Sequence, residues 1–144
     1  MKVVLDTNIL IAALISKEGA PRKIYRAWLD GRFTLVTSSW QIGEFRRVSR
    51  YKRVRPYITP SEAGDVVNGL RARATVVEKL PKLELSPDPD DNFVLAMAVE
   101  GEAAYLVTGD RKDLLVLEKL PGLRIIKART FFEVLRLPAD YGES

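Results

Sequence analysis

The sequence predicts an α/β fold with three layers, in which helices cover both faces of a central parallel sheet of about five strands. Short apolar runs rich in β-branched residues alternate along the chain with segments of helical periodicity. That alternation is typical of a parallel sheet. The first apolar run, residues 2–5, stops at Asp6, and a helical pattern follows at once, which gives the first half of a βαβ unit. The chain of 144 residues is expected to form one domain over residues 1–144.

Strands and helices are placed by apolar runs, periodicity and capping residues. The predicted strands cover residues 2–5, 33–37, 75–77, 104–108 and 123–126. The predicted helices cover residues 9–15, 20–30, 40–51, 60–74, 92–100, 111–117 and 131–135. The tail from residue 138 onward is expected to be frayed.

Composition limits the chemistry that this chain can perform. The sequence contains no Cys and no His, which excludes disulfides, thiolate or imidazole zinc sites, and Ser-His-Asp catalysis. Any catalysis must therefore rest on carboxylates, hydroxyls, Lys, Arg, Tyr, or a metal held by oxygen ligands.

Location and partners are constrained less strongly. No apolar run reaches about 18 residues, so no membrane span is expected. Met1 leads directly into the first strand, which leaves no room for a signal peptide, and a cytoplasmic location is expected. The net charge of +4 permits a polyanionic partner but supports one only weakly.

Two acidic residues follow predicted strands at the same edge of the sheet. Asp6 ends the first strand, and Asp110 follows the fourth strand in Val107-Thr108-Gly109-Asp110. Open α/β sheets build their sites at this carboxyl edge, so the two carboxylates converge if these strands are neighbours. The structural alternatives are a helix cap for Asp6 and a turn residue for Asp110.

Glu44 interrupts an otherwise apolar stripe of its helix. Trp40, Glu44 and Val48 are spaced by four residues and share one face. A buried carboxylate needs a partner such as a metal ion or a cationic side chain. The structural alternative is a position at the edge of the stripe, where Glu44 pairs with Arg46 or Arg47.

Asp91 belongs to the acidic segment Asp88-Pro89-Asp90-Asp91. It stands four residues before Leu95, so it projects from the core-facing side of a helix start. Asp90 is turned about 100° away and is expected to serve as the helix cap, although Asp88 could do the same. The assignment of Asp91 rather than Asp90 to a site is therefore a prediction that needs its own test.

Carboxylates that meet at one sheet edge repel one another unless a cation is present. Hard oxygen ligands without His or Cys select Mg²⁺ or Mn²⁺. A basic segment follows Glu44, and its Arg46, Arg47 and Arg50 are predicted to contact phosphates. The alternative for these arginines is a solvated face or a surface that binds a protein partner.

Taken in order, these segments resemble the PIN-domain family of metal-dependent ribonucleases. The resemblance lies in four segments: Val-Val-Leu-Asp-Thr-Asn-Ile-Leu at the start, Glu44 in a helix after Thr-Ser-Ser, Asp-Asn-Phe-Val-Leu-Ala-Met-Ala from Asp91, and Tyr-Leu-Val-Thr-Gly-Asp. It covers roughly residues 2–130, and the ordered set is more specific than any one segment. Asp-Pro-Asp-Asp and Thr-Gly-Asp are similar to segments of PIN proteins described as toxins of toxin–antitoxin pairs.

The resemblance implies an endoribonuclease that uses Mg²⁺ or Mn²⁺ to hydrolyse phosphodiester bonds of single-stranded RNA. It gives catalytic and metal-binding roles to four acids, with two polar residues beside them: Asp6, Glu44, Asp91 and Asp110, then Asn8 and Thr108. It also implies an antitoxin partner and a homodimer. Tyr25 and Trp28 on the second helix are the exposed apolar candidates for such contacts.

Other families with an acidic residue after the first strand fit less well. A haloacid-dehalogenase-like phosphatase needs a second Asp where this chain has Asn8. A receiver domain needs an Asp after the third strand, where Val76-Val77-Glu78-Lys79 has none. A dinucleotide-binding domain needs a Gly-rich first turn. Two alternatives stay open, namely a nuclease of RNA processing with the same site and a non-catalytic RNA- or protein-binding module of the same fold.

Overall fold

The computed structural model describes residues 1–109 and 119–143. Its strands are β1 (Lys2–Leu5), β2 (Thr34–Ser38), β3 (Thr75–Val77), β4 (Tyr105–Thr108), β5 (Lys119–Leu120) and β6 (Leu123–Lys127). Its helices are α1 (Thr7–Ile15), α2 (Ala20–Leu29), α3 (Ser39–Val48), α4 (Pro60–Arg73), α5 (Pro89–Glu100) and α6 (Ala128–Leu135). Within these described ranges no helix is long and apolar enough to cross a membrane. Asp110 and the helix predicted at residues 111–117 lie outside the described residues.

The sheet confirms the predicted parallel architecture. Its strand order is β3-β2-β1-β4-β6-β5, and the pairs β3-β2, β2-β1, β1-β4 and β4-β6 are parallel. Strand β1 lies between β2 and β4, so the strand order reverses at the β1/β4 pair. This places the switch point, where open α/β sheets form clefts, directly beyond Leu5 and Thr108.

The short edge strand β5 was not predicted. It pairs antiparallel with β6, with Leu120 opposite Leu123. The two strands are joined by Pro121-Gly122, and Gly122 has a φ of 78°, which suits the third position of a turn with proline before it. Two residues are too few to show an alternating pattern, but the Pro-Gly pair was a turn signal.

Two apolar clusters cover the two faces of the sheet, which gives the three layers. Val3 and Leu5 join the cluster formed by α1, α2, α3, α4 and α6. Val4, between them, joins the cluster on the opposite face, formed with α5. The side chains of β1 therefore alternate between two buried layers, which is why the strand is apolar at consecutive positions.

Two expectations about the surface were wrong. Trp28 is buried, and its ring packs over Gly69 of α4, where an added Cβ would lie 3.4 Å from Trp28. Tyr25 is partly buried in the same cluster. The tail is also held in place, because Glu143 forms an ion pair with Lys23 at 3.4 Å and the Tyr141 hydroxyl donates to Asp30.

Helix α4 begins with a reciprocal pair of hydrogen bonds. The Glu62 N–H donates to Thr59 Oγ1 at 3.1 Å, and the Thr59 N–H donates to Glu62 Oε1 at 2.9 Å. These bonds satisfy two N–H groups that a helix start leaves without partners. The bond from the Thr59 N–H also lowers the pKa of Glu62, since it favours the ionised carboxylate.

The end of α5 gives a test of packing against the sheet. Gly101→Ala is expected to lower the free energy of unfolding by about 1–3 kcal/mol, the usual loss for an overpacked core. An added Cβ would lie 2.5 Å from Val36 Cγ1 and 2.9 Å from the Met97 carbonyl oxygen. Urea denaturation measures the change.

Gly43→Ala is the matched control within α3. A Cβ at Gly43 has no neighbour within 4 Å, and Ala is favoured over Gly in a helix by roughly 0.5–1 kcal/mol. This variant should therefore be more stable than the wild type. Equal losses in the two variants would contradict the close approach of Gly101 to β2.

Candidate functional site

Asp6 is fixed at the carboxyl edge of the sheet by main-chain and side-chain contacts. Its N–H donates to the Val107 carbonyl at 2.9 Å, which extends the β1/β4 pairing by one residue. Its side chain is fully buried. The Thr108 hydroxyl, at the end of β4, donates to Asp6 Oδ2 at 2.8 Å. The predicted meeting of these two strand ends is therefore present, with Thr108 supporting Asp6.

Glu44 reaches the same edge from α3. Its side chain is buried, and the Thr7 hydroxyl donates to Glu44 Oε1. Glu44 Oε2 also lies 4.0 Å from a guanidinium nitrogen of Arg47, whose side chain is 60% exposed. Thus the buried site and the ion pair, which the sequence offered as alternatives, occur together.

Asp91 lies in the first turn of α5 and is buried, as its spacing from Leu95 predicted. The Ser86 hydroxyl donates to Asp91 Oδ2 at 2.9 Å. Ser86 is itself held by Asn92, whose side-chain oxygen accepts from the Ser86 N–H at 2.8 Å and whose amide donates to the Ser86 carbonyl at 2.8 Å. These hydrogen bonds hold the segment before α5 against the first turn of that helix, and they orient Asp91.

Each of the three buried carboxylates thus accepts a hydrogen bond from a buried hydroxyl. Thr108 was predicted as a polar residue beside the acids, but Thr7 and Ser86 were not. Thr7 could have been found, because it stands between Asp6 and a helical pattern at a position that an apolar residue would fill. Ser86 lies in a Pro-rich segment, and nothing in its spacing indicated its contact.

A buried amide fixes the start of α3 against the sheet. Gln41 is fully buried, and its Nε2 donates to the Leu5 carbonyl at 2.6 Å. Its Oε1 accepts from the Thr37 hydroxyl at 2.6 Å, and its N–H donates to Ser38 Oγ at 3.2 Å. Gln41 therefore links the ends of β1 and β2, and the helix turn that follows brings Glu44 beside Thr7. Sequence analysis missed this residue.

The donor chemistry of the site suits a hard divalent cation, since carboxylates and hydroxyls are its polar groups. Within residues 1–109 and 119–143, no group of three Asp or Glu side chains lies close enough to hold one metal ion. Asp6, Glu44 and Asp91 are therefore not gathered as such a group of three. Asp110, the fourth predicted ligand, lies outside the described residues.

The three arginines predicted to contact phosphates separate into two positions. Helix α3 ends at Val48 rather than near Tyr51. Arg47 lies on the Glu44 side, and its Nε donates to the Tyr51 hydroxyl at 3.4 Å. This bond, reinforced by Glu44, raises the pKa of Arg47. Arg46 and Arg50 instead line a groove of about 530 Å³ between α3 and α4.

The helix start at Asp91 differs from the prediction. Helix α5 begins at Pro89, three residues earlier than expected, and Asp88 is its cap, since Asp88 Oδ1 accepts from the Asp90 N–H at 2.9 Å. The expectation that Asp90 caps the helix was therefore wrong. Proline favours the first helical position, so Pro89 was a signal that could have located the start. Asn8, the other polar position beside the acids, is exposed in the first turn of α1.

A family model described as a PIN domain matches residues 2–112. The chain belongs to the PIN-domain family. PIN domains are generally nucleases, and they generally depend on divalent metals. Membership therefore supports a nuclease and agrees with the acidic character of the sheet edge.

Two known proteins are similar to this PIN domain, one in sequence and one in fold. The chain is 28% identical over 118 residues to an uncharacterized protein of Methanocaldococcus jannaschii, covering 81% of this chain and 75% of that protein. It also resembles the crystal structure of VapBC2 from Rickettsia felis bound to a DNA fragment from their promoter. That match has a TM-score of 0.56 and 18% identity, and it covers 88% of this chain and 98% of that chain. The structural likeness confirms the PIN-like three-layer fold.

The two neighbouring acids at the start of α5 are separated by a stability measurement. Asp88→Ala should lower the free energy of unfolding by about 1 kcal/mol, the usual loss when a capping side chain is removed. Asp90→Ala should lower it by only about 0.3 kcal/mol, through the helix dipole. Chemical denaturation in EDTA compares both variants. A larger loss for Asp90→Ala would contradict the assignment of Asp88 as the cap.

Proposed function

We propose that this PIN domain is an endoribonuclease that depends on Mg²⁺ or Mn²⁺ and hydrolyses phosphodiester bonds of single-stranded RNA. The observation that carries the proposal is the burial of Asp6, Glu44 and Asp91, each next to a hydroxyl donor. Buried carboxylates destabilise a fold unless a partner compensates. A site that uses them for chemistry accounts for the presence of all three.

Asp6, Glu44, Asp91 and Asp110 would hold the metal. When bound, the ion would activate a water molecule as the nucleophile and stabilise the leaving oxygen. The chain's own residues prepare the site for this. Hydroxyl groups donate a hydrogen bond to one carboxylate oxygen of Asp6, Glu44 and Asp91. The other oxygen of each carboxylate therefore keeps a set direction.

The substrate requires a cation as well as the acids. An acidic site repels the phosphates of RNA, so positive groups beside it must hold the strand. Arg47 suits this role, because its guanidinium is largely exposed while it lies 4.0 Å from Glu44. Its planar group can form two hydrogen bonds with one phosphate.

In this proposal residues 1–144 form one nuclease domain and act as the toxin of a toxin–antitoxin pair. The similarity of Asp88-Pro89-Asp90-Asp91 to segments of PIN toxins supports this, as does the fold likeness to VapBC2 of Rickettsia felis. An antitoxin protein is the partner implied, and a homodimer is part of the same proposal. Trp28 cannot contribute a contact surface to such partners, because its side chain is buried.

Cleavage tests the activity. Wild-type protein should cut mixed-sequence single-stranded RNA in Mg²⁺ or Mn²⁺, and EDTA should stop the reaction. Ser86→Ala, which removes only a supporting hydroxyl, should lower the cleavage rate roughly 10–100-fold. Asp91→Asn should lower the rate further. Rates are measured on gels with labelled RNA.

Asp90→Asn is the matched control for Asp91→Asn, because it makes the same chemical change one residue away. It should keep most of the wild-type rate. RNA pools that bind tightly but stay intact in both metals would favour a non-catalytic RNA-binding module instead.

Metal binding is tested independently of activity. Saturating Mg²⁺ or Mn²⁺ should raise the melting temperature, with a gain of roughly 2.7 kcal/mol at a hundred times the Kd. Asp6→Asn should abolish most of this gain while raising stability in EDTA, since repulsion among the carboxylates is relieved. A melting temperature indifferent to both ions near neutral pH would count against the metal site.

A further inference from the structure

The groove between α3 and α4 lies on the opposite side of α3 from the carboxylates. It has a volume of about 530 Å³ and is formed by the end of α3, the connection that follows and one face of α4. Its polar lining consists of four arginines, two hydroxyl residues and one amide: Arg46, Arg50, Arg55, Arg71, Ser49, Thr59 and Asn68. The groove is large enough to admit part of a polymer.

The groove carries positive charge without compensation from its own walls. None of its lining residues is Asp or Glu. In the described ranges the ion pairs are Lys23–Glu143 and Arg47–Glu44, so the four groove arginines pair with no described carboxylate. All four are exposed. Such a cluster repels itself and favours an anionic ligand.

Helix α4 keeps its acids away from the groove. Ala63, Val67 and Arg71 recur at helical spacing along the groove wall. Glu62 lies off this stripe, bonded to Thr59, with Lys17 and Arg22 as its electrostatic neighbours. Asp65 instead lies near Tyr25 of α2, whose pKa is raised by burial and also by the charge of Asp65. The charges of α4 are therefore segregated, with arginine and amide groups facing the groove.

The groove is connected to the carboxylate site around α3. Arg46 follows Glu44 by two residues, which turns it about 200° around the helix. Arg47 lies between the two sides and touches both Glu44 and Tyr51. A helix with its side chains is about 10–12 Å across, so the groove is too far from the acids to hold the phosphate that is cut. It can hold phosphates further along the same strand.

From this arrangement we infer that the groove binds the phosphate backbone of single-stranded RNA beyond the position that is cut. The inference rests on the proposed function for its choice of polymer. Guanidinium groups bind phosphate oxygens in pairs, while Thr59 and Asn68 supply hydrogen bonds to phosphate or sugar. Arg47 continues the basic path to the acids, which an acidic protein segment would not require. The groove therefore anchors the strand, and the carboxylates act on a different phosphate.

The salt dependence of RNA binding tests the groove without any cleavage. A fluorescent single-stranded RNA is titrated with the full chain in EDTA at several KCl concentrations. Arg50→Ala and Arg71→Ala, on opposite walls, should each weaken binding and reduce the slope of log K against log[salt] by about 0.7, the value for one lost contact with single-stranded nucleic acid. Arg71→Lys keeps the charge and should retain most of the slope.

Arg124→Ala is the matched control. Arg124 is exposed on β6 near the other end of the sheet, opposite Tyr105 in register, and its loss should leave the slope unchanged. Slopes for Arg50→Ala and Arg71→Ala that equal that of Arg124→Ala would overturn the groove. So would poly-glutamate that binds with the same arginine dependence while RNA does not.

Cleavage assays on the same variants keep the two proposals apart. If the wild type cuts RNA but binding does not depend on Arg50 or Arg71, the groove proposal is wrong and the nuclease proposal stands. RNA that is bound with the expected slopes but never cut in Mg²⁺ or Mn²⁺ would support the groove and overturn the nuclease. With both proposals correct, the groove variants raise KM for long RNA and leave kcat nearly unchanged.

Discussion

The parallel pairing of β1 with β4 is the constraint on which the candidate site depends. Leu5 lies opposite Val107, so Asp6 and Thr108 emerge side by side at the edge of the sheet. Thr7 then follows Asp6 and reaches Glu44, so a second carboxylate is placed by the same pairing. A shift of one residue in this register would turn each side chain of β1 toward the other layer and would separate Asp6 from Thr108.

The second constraint is the free energy of burying acids. Asp6, Glu44 and Asp91 are at most 5% exposed, and an apolar residue at each position would pack more favourably. Hydroxyl donors reduce this penalty, and the buried amide of Gln41 keeps α3 aligned with β1 so that the donors stay in place. The buried acids are thus held by hydrogen bonds from buried side chains. This combination is expected where stability gives way to function.

Sequence patterns predicted the parts that follow from local rules. Asp6 was placed by the end of an apolar run, Glu44 by its interruption of a helical stripe, and Asp91 by its spacing from Leu95. Contacts that depend on tertiary packing or on the exact shape of a turn could not be predicted in this way. The burial of Trp28 depends on Gly69 of α4, and the support of Asp91 depends on a turn closed by Asn92. Asp88, Asp90 and Asp91 are all of a residue type that is favoured as a helix cap, so the sequence did not decide which of them caps α5.

The main chain positions Asp6 independently of its side chain. The hydrogen bond from its N–H to the Val107 carbonyl would form with almost any residue at this position. The sheet therefore fixes the position of residue 6 whichever side chain it carries. A single substitution can silence the carboxylate while the sheet, the helices and the arginine-lined groove keep their arrangement. Loss of this acid and loss of the fold are therefore separate events, which a substitution at position 6 can tell apart.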